Sequence, residues 1–205
     1  VIALHDRLYD KKNFHVINSS TLDDKWFKNF KEAKTDKIRF LCVARINPVK
    51  GINEFLEMFN NLEIEAELSI IGKTNNLRHQ KKFQSLIENS KNIKFPGYIS
   101  SRQELINTYD NHNILILPSF TEGQPYVVDE SLVRRRPVLI FEDIAHIIKG
   151  RKGIFVSKRN FINFFGTLNS IKKNYKKIQK DMKKNKLPTN KEFIDKFVKY
   201  IDDFN

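Results

Sequence analysis

The stretch "ILILPSFTEGQPYVVDES", Ile114 to Ser131, decides the fold. Its first four residues are apolar throughout, as expected of a strand buried on both faces of a sheet. Pro118 and Ser119 end that strand. Thr121-Glu122-Gly123-Gln124 reads as a loop, and Pro125 suits the first turn of a helix, where its missing N–H would have no helical partner. From Tyr126 the sequence reads as helix. An apolar strand, a glycine-containing turn and a helix, in that order, are the first part of a parallel βαβ unit. The stretch also sets Glu122 in the loop and Glu130 along the helix, with seven residues between them. Gly123 removes a side chain that would obstruct close approach. Free N–H groups at the helix start favour a phosphate or a sugar oxygen. A carboxylate accepts hydrogen bonds from both hydroxyls of a vicinal diol, so hydroxyl-rich ligands suit the pair. Read by itself, such a pair is as well explained by a helix cap and a solvated helix residue.

Working outward, the same alternation recurs along the chain. The pattern predicts strands over Phe14–Ile17, Ile38–Ala44, Glu67–Ile71, Ile93–Phe95, Ile114–Leu117, Val138–Phe141 and Ile154–Val156. It predicts helices over Gly51–Asn60, Asn76–Ser90, Ser101–Asn111, Tyr126–Arg135, Ile144–Lys149, Asn160–Lys184 and Asn190–Phe204. The fold class that follows is α/β, a Rossmann-like parallel sheet with helices on both faces. Four of the seven glycines, Gly51, Gly72, Gly97 and Gly123, follow predicted strands. They therefore gather at the carboxyl edge, where ligands of open α/β sheets bind.

The composition, 40% hydrophobic and 30% charged, suits a globular chain and excludes a disordered one. No apolar run approaches the length of a transmembrane helix, and no secretory signal is visible. One cysteine, Cys42, in an apolar run, excludes an internal disulfide and reads as a core thiol in a reducing cytoplasm. The five histidines form no metal-ligand spacing, so no metal or cofactor is expected. The net charge is +13, but residues 149–186 alone carry +12. Within them, Ile171, Tyr175, Ile178 and Met182 fall on one helical face among lysines. The basic helix over 171–184 is therefore either a membrane-surface contact or an outer helix packed on the domain.

Taken together, "PSFTEGQPYVVDES" resembles the signature of retaining glycosyltransferases of the GT-B fold, glycosyltransferase family four. "VARINPVKGIN", Val43 to Asn53, is similar to that family's basic turn, with Ala44 in place of the usual glycine. The resemblance implies that Glu122 contacts the donor sugar and Glu130 the nucleotide ribose. It implies that Arg45 and Lys50 stabilise the charge of the diphosphate leaving group. It further implies that Gly123, Gln124, Pro125 and Tyr126 line the sugar and diphosphate. Gly72 and Lys73, with Thr74, would lie beside the nucleotide, and Tyr98, Ile99 and Ser100 would hold the base. After Glu130 the family has a small residue and glycine, whereas this chain has Arg134-Arg135-Arg136. We read these as cations at a helix end.

The organisation expected from the resemblance is an interdomain remnant over 1–13, a nucleotide-sugar-binding lobe over 14–158 and terminal helices over 159–205. An amino-terminal acceptor lobe would be missing, in keeping with a first residue that is Val1 and not Met. The expected partners are a nucleotide sugar, that lobe and a glycan or lipid-linked acceptor, in the cytoplasm or on the inner membrane face. Bacterial surface polysaccharide or lipopolysaccharide synthesis is the setting implied. Two other readings stay open: a basic nucleic-acid-binding module, disfavoured because aromatics do not interleave with the lysines, and a noncatalytic nucleotide-sugar sensor.

Overall fold

A computed structural model describes residues 2–3, 15–16, 18–61, 65–73, 77–88 and 90–202. Two strands, β1 (Ile2–Ala3) and β2 (His15–Val16), pair in parallel as a separate ribbon. Phe14 and Ile17, the predicted ends of the second strand, lie outside the described residues, as do Thr74 and Phe204. The main sheet contains β3 (Ile38–Val43), β4 (Ala66–Ile71), β5 (Ile93–Gly97), β6 (Ile114–Leu117), β7 (Val138–Phe141) and β8 (Ile154–Ser157). Every pairing is parallel, and the order across the sheet is β5-β4-β3-β6-β7-β8. This is the doubly wound arrangement, whose strand order reverses between β3 and β6. At that crevice Phe40 stands opposite Ile114 and Leu41 opposite Leu115.

Burial follows position. Every residue of the central strands β6 and β7 is buried, as the continuous apolar runs require. The edge strand β5 alternates between partial burial and exposure and carries Pro96, which an edge tolerates because it offers no ladder N–H. Helices α1 (Ile52–Asn60), α2 (Leu77–Glu88), α3 (Arg102–Asp110) and α4 (Tyr126–Val133) cross between strands. Two longer helices follow, α5 (Phe161–Met182) and α6 (Asn190–Asp202). Phe40 meets Phe59 and Phe164 with ring centroids 6.0 Å apart, and Phe164 meets Phe55 at 5.7 Å. Beta strand, α1 and α5 thus share one aromatic cluster.

Four local features add to the reading of the sequence or depart from it. Short 3₁₀ turns form over Asp24–Phe27 and Pro48–Lys50, capped by Asp23 and Asn47. The segment expected as a helix over 144–149 is instead a run of 3₁₀ turns over Glu142–Ile148, broken at Ile144. Ile144 and Ile147 are both buried, and a spacing of three suits three residues per turn. In α5, Ile171, Tyr175, Ile178 and Met182 are buried, continuing Phe164 and Leu168. The apolar stripe of the basic segment is therefore core.

The fourth is a correction. α4 ends at Val133, with Arg134 as its C-cap and Arg135 in the left-handed region at φ 55°, but the side chains of Arg134 and Arg136 are not exposed cations at the helix end. Both are buried. Arg134 grips Asp110 through Nε (2.9 Å) and Nη2 (2.7 Å) and donates to the carbonyls of Trp26, Lys28 and Asn29. Arg136 donates to the carbonyls of Tyr109, Asp110, Arg134 and Lys31. Two cations share one carboxylate because backbone oxygens satisfy the remaining donors. This cluster pins residues 26–31 to the ends of α3 and α4. Removing Arg134 would leave Asp110 and three carbonyls short of donors. Arg134→Ala should destabilise the chain by about 3–5 kcal/mol, read as a lower urea midpoint, and Arg134→Lys should recover little, lacking the planar fork.

Candidate functional site

Because the strands are parallel, the loops that follow β3, β4, β5 and β6 all emerge at one edge. Together with α4, which carries Tyr126 and Glu130, they hold the predicted site residues. The β3 and β6 loops come closest. Gly51, at φ 60°, lies so near that an added Cβ would sit 2.2 Å from the carbonyl oxygen of Pro118. Phe120 N–H donates to Val49 O at 2.9 Å. Gly72 makes the neighbouring approach, its Cβ position 1.8 Å from Ala44 O. A glycine is thus required at 72 by backbone contact, and the Ala44 departure is accommodated.

Across the β3–β6 junction Lys50 Nζ donates to Glu122 Oε1 at 2.5 Å. Ser119 Oγ donates to the same oxygen at 2.7 Å. His146 Nε2 donates to the Glu122 backbone carbonyl at 2.8 Å, since a carbonyl can only accept. Glu122 is therefore held by its own loop and by two other segments, and Oε1 is the occupied oxygen. Arg159 braces the loop from below, donating to Pro118 O and Ser119 O while its guanidinium lies 4.2 Å from the Phe120 and Phe141 ring centres.

A cavity of about 680 Å³ opens at this edge. Arg45, Gly72, Lys73, Tyr98, Ile99, Ser100 and Glu130 line it, so seven of the thirteen predicted site residues share one space. Lys73 Nζ lies over the Tyr98 ring at 4.5 Å, and among the described residues Arg45 forms no ion pair. Glu122 and Lys50, joined across the β3–β6 junction, do not line this cavity. Gly123, Gln124 and Pro125 line a different, smaller cavity of about 180 Å³ with Asp129 and Arg151. Gln124 Nε2 donates to Ser19 O, and the Tyr126 hydroxyl bonds Ser19 Oγ at 2.6 Å. These two side chains hold the 18–20 segment. Gathering in one cavity is thus found for the first seven residues only.

Glu130 sits on the inner wall, buried. The fully buried Tyr109 hydroxyl donates to its Oε2 at 2.8 Å, and Thr21 Oγ1 donates to Oε1 at 3.3 Å. Burial pushes its carboxyl above the ordinary range, and the Tyr109 and Thr21 hydrogen bonds pull back only in part. Asp129 is likewise raised by burial, opposed by its ion pair with Arg151. Cys42 is pushed up to about 12 by burial, so it is an inert core thiol. Among the described residues no three His, Cys, Asp or Glu side chains converge as a metal site would require.

The sequence missed Thr21, Trp26, Asn47, Arg102, Leu105 and Val127, which also line the larger cavity, and Tyr109 behind Glu130. A buried tyrosine must find a partner for its hydroxyl, which could have flagged Tyr109. Nothing in the sequence says which partner.

Residues 24–187 match the family model described as glycosyl transferases group 1. No curated protein matches the chain. Among solved structures it is similar to a lipopolysaccharide outer core galactosyltransferase, WaaB, with a TM-score of 0.68 at 16% identity. That match covers 100% of this chain and 62% of the other. A sucrose-phosphate synthase from Thermosynechococcus elongatus gives 0.74 at 14% identity, covering 93% and 52%. Anabaena HepE, in complex with UDP and glucose, gives 0.64 at 13%, covering 82% and 50%. The chain thus spans half to three-fifths of the length of these structures, and the likeness is one of fold.

The Tyr109–Glu130 contact can be tested by stability. Tyr109 stabilises the ionised carboxylate, so its bond matters most where Glu130 is charged. Glu130 has a raised folded pKa, so it is charged only above that value and neutral in acid. Tyr109→Phe should cost about 1.5–3 kcal/mol in urea titrations at about pH 8 and clearly less at about pH 5. An equal loss at both would mean that the hydroxyl does not serve the carboxylate.

Proposed function

The chain belongs to the group 1 glycosyl transferases, and we propose that it is the donor-binding lobe of a retaining, family four enzyme. That enzyme transfers a sugar from a nucleoside-diphosphate sugar to a glycan or lipid-linked acceptor, in lipopolysaccharide or other surface-polysaccharide assembly. The observation that carries this reading is the cavity at the reversal of strand order, with Glu130 on its inner wall and cations at its rim. Such crevices are where open α/β sheets take nucleotides. Two similar structures point the same way: HepE is in complex with UDP and glucose, and WaaB is a lipopolysaccharide outer core galactosyltransferase. The share of those chains left uncovered, 50% and 38%, leaves room for a second lobe that would bring the acceptor.

On this reading each polar group has a task. The ribose hydroxyls donate to Glu130, whose carboxylate Tyr109 and Thr21 orient. The base lies against the backbone of Tyr98 to Ser100, near Lys73. The sugar hydroxyls reach Glu122, which its contacts with Lys50 and Ser119 hold in place. As the bond from sugar carbon to diphosphate oxygen breaks, the diphosphate gains negative charge, and Arg45 and Lys50 supply fixed positive charge against it. Lys50 is pre-set for this by its ion pair, so no side chain need be recruited at the moment of reaction. The chemistry rests on donor positioning and leaving-group stabilisation.

Two experiments test the proposal. A saturating nucleoside diphosphate, screened across uridine, guanosine and adenosine forms, should raise the unfolding temperature of the chain by about 5–10 °C at 100 Kd. Glu130→Gln should remove that shift while leaving the ligand-free protein at least as stable at neutral pH, because a buried charge is neutralised. An unchanged unfolding temperature with all three nucleoside diphosphates would reject the nucleotide site. In the enzyme with both lobes, Glu122→Ala should abolish transfer with folding nearly intact; a near wild-type rate would remove Glu122 from the mechanism.

A further inference from the structure

The burial of α5's apolar stripe changes what its lysines can do. Phe164, Leu168, Ile171, Tyr175, Ile178 and Met182 face the sheet. At 3.6 residues per turn, Lys172, Lys173, Lys176, Lys177 and Lys180 then fall within about 140° of arc on the opposite, outward side, and Lys183 and Lys184 follow in the turn just past its end. All seven are exposed. Among the described residues only Lys184 has an acid, Asp181, at 3.0 Å. The strip is about 18 Å long, seven cations against the one acid Asp181, on a chain whose remainder outside 149–186 is close to neutral. Mutual repulsion at this density is lowered by an anionic surface, the more so at low salt.

We propose that this face docks the chain on an anionic phospholipid surface. A phosphodiester polymer would meet the same cations, but a second feature separates the two. Ile162, 81% exposed, falls within the same arc one end further along α5, beside exposed Phe161, which stacks on Phe165 at 5.9 Å. A headgroup layer accepts both cations and a shallow apolar contact. A nucleic-acid backbone has no use for the isoleucine, and Tyr175, the ring among these lysines, is buried and so cannot stack a base. The apolar stripe buried in the core is not available for insertion, so attachment is electrostatic, with Ile162 as a minor anchor.

The placement has a consequence for the site. α5 begins just after Arg159, whose guanidinium holds Pro118 O and Ser119 O under the Glu122 loop. The Ile162 end of the face is therefore at the ligand edge of the sheet. Lying on a membrane, α5 would hold that edge beside the headgroups. This last step rests on the proposed transfer to a lipid-linked acceptor; the binding itself does not.

Vesicle sedimentation of the 205-residue chain tests the binding directly. With phosphatidylglycerol as about a third of a phosphatidylcholine vesicle, the chain should pellet at low salt and release as salt rises. On pure phosphatidylcholine it should stay in the supernatant. Substituting Lys173, Lys176, Lys177 and Lys180 each by Gln should weaken partition about 100-fold or more, at about fivefold per charge. Unfolding temperature and any nucleotide-induced shift should be unchanged. Ile162→Asn should weaken vesicle binding severalfold and leave binding to duplex DNA unaltered. Equal pelleting with neutral vesicles, unchanged partition in the fourfold variant, or binding to duplex DNA without vesicle binding would each overturn the proposal. A nucleotide shift without vesicle binding would reject this inference alone, and vesicle binding without a nucleotide shift would reject the donor reading alone.

Discussion

Two parallel strands lie side by side with the same polarity, and the loops leaving β3 and β6 are therefore forced together. That contact is the constraint on which the remaining arrangement depends. It demands a residue without Cβ at Gly51, because the Pro118 carbonyl occupies the space a side chain would need. It brings Lys50 and Glu122, 72 positions apart in sequence, to 2.5 Å. It also opens the crevice that becomes the large cavity, since helices leave to either side of the point where strand order reverses.

The molecule holds two kinds of buried charge, and they differ in how well they are satisfied. Asp110, Arg134 and Arg136 form a closed set in which carbonyl oxygens take the donors that the one carboxylate cannot. That set is scaffold: it fixes residues 26–31 and the end of α3. Glu130 is only partly compensated, its carboxyl raised by burial despite two hydroxyl donors. The two are linked, because Tyr109, which orients Glu130, is the residue before Asp110. A rigid, satisfied cluster thus holds the donor that serves an incompletely satisfied carboxylate, as preorganised sites require.

The carboxyl-terminal helices divide differently. α5 closes the aromatic cluster through Phe164 and carries its lysines outward. α6 buries no residue fully and leaves Ile194, Phe197, Val198 and Ile201 at the surface, although Asn190 N–H reaches Leu22 O at 2.7 Å. The first is part of the domain core; the second is attached mainly at its start.

By itself the sequence determined the α/β class, the strands Ile114–Leu117 and Val138–Phe141 to the residue, and the edge at which the motifs gather. These are legible because burial on both faces imposes an unbroken apolar run, and because glycine marks close backbone approach locally. Glu122, Glu130, Arg45 and Lys50 could be named from spacing and resemblance, since each lies in a short motif beside a strand end. Tertiary structure alone decided the rest. Tyr109 and Thr21 on Glu130, Arg134 on three distant carbonyls, Gln124 and Tyr126 on Ser19, and the inward turn of α5's apolar stripe are all contacts between segments far apart in the chain. A side chain's periodicity says that it must be satisfied or covered; which distant group does so depends on how the layers pack, and that is written in no single stretch of sequence.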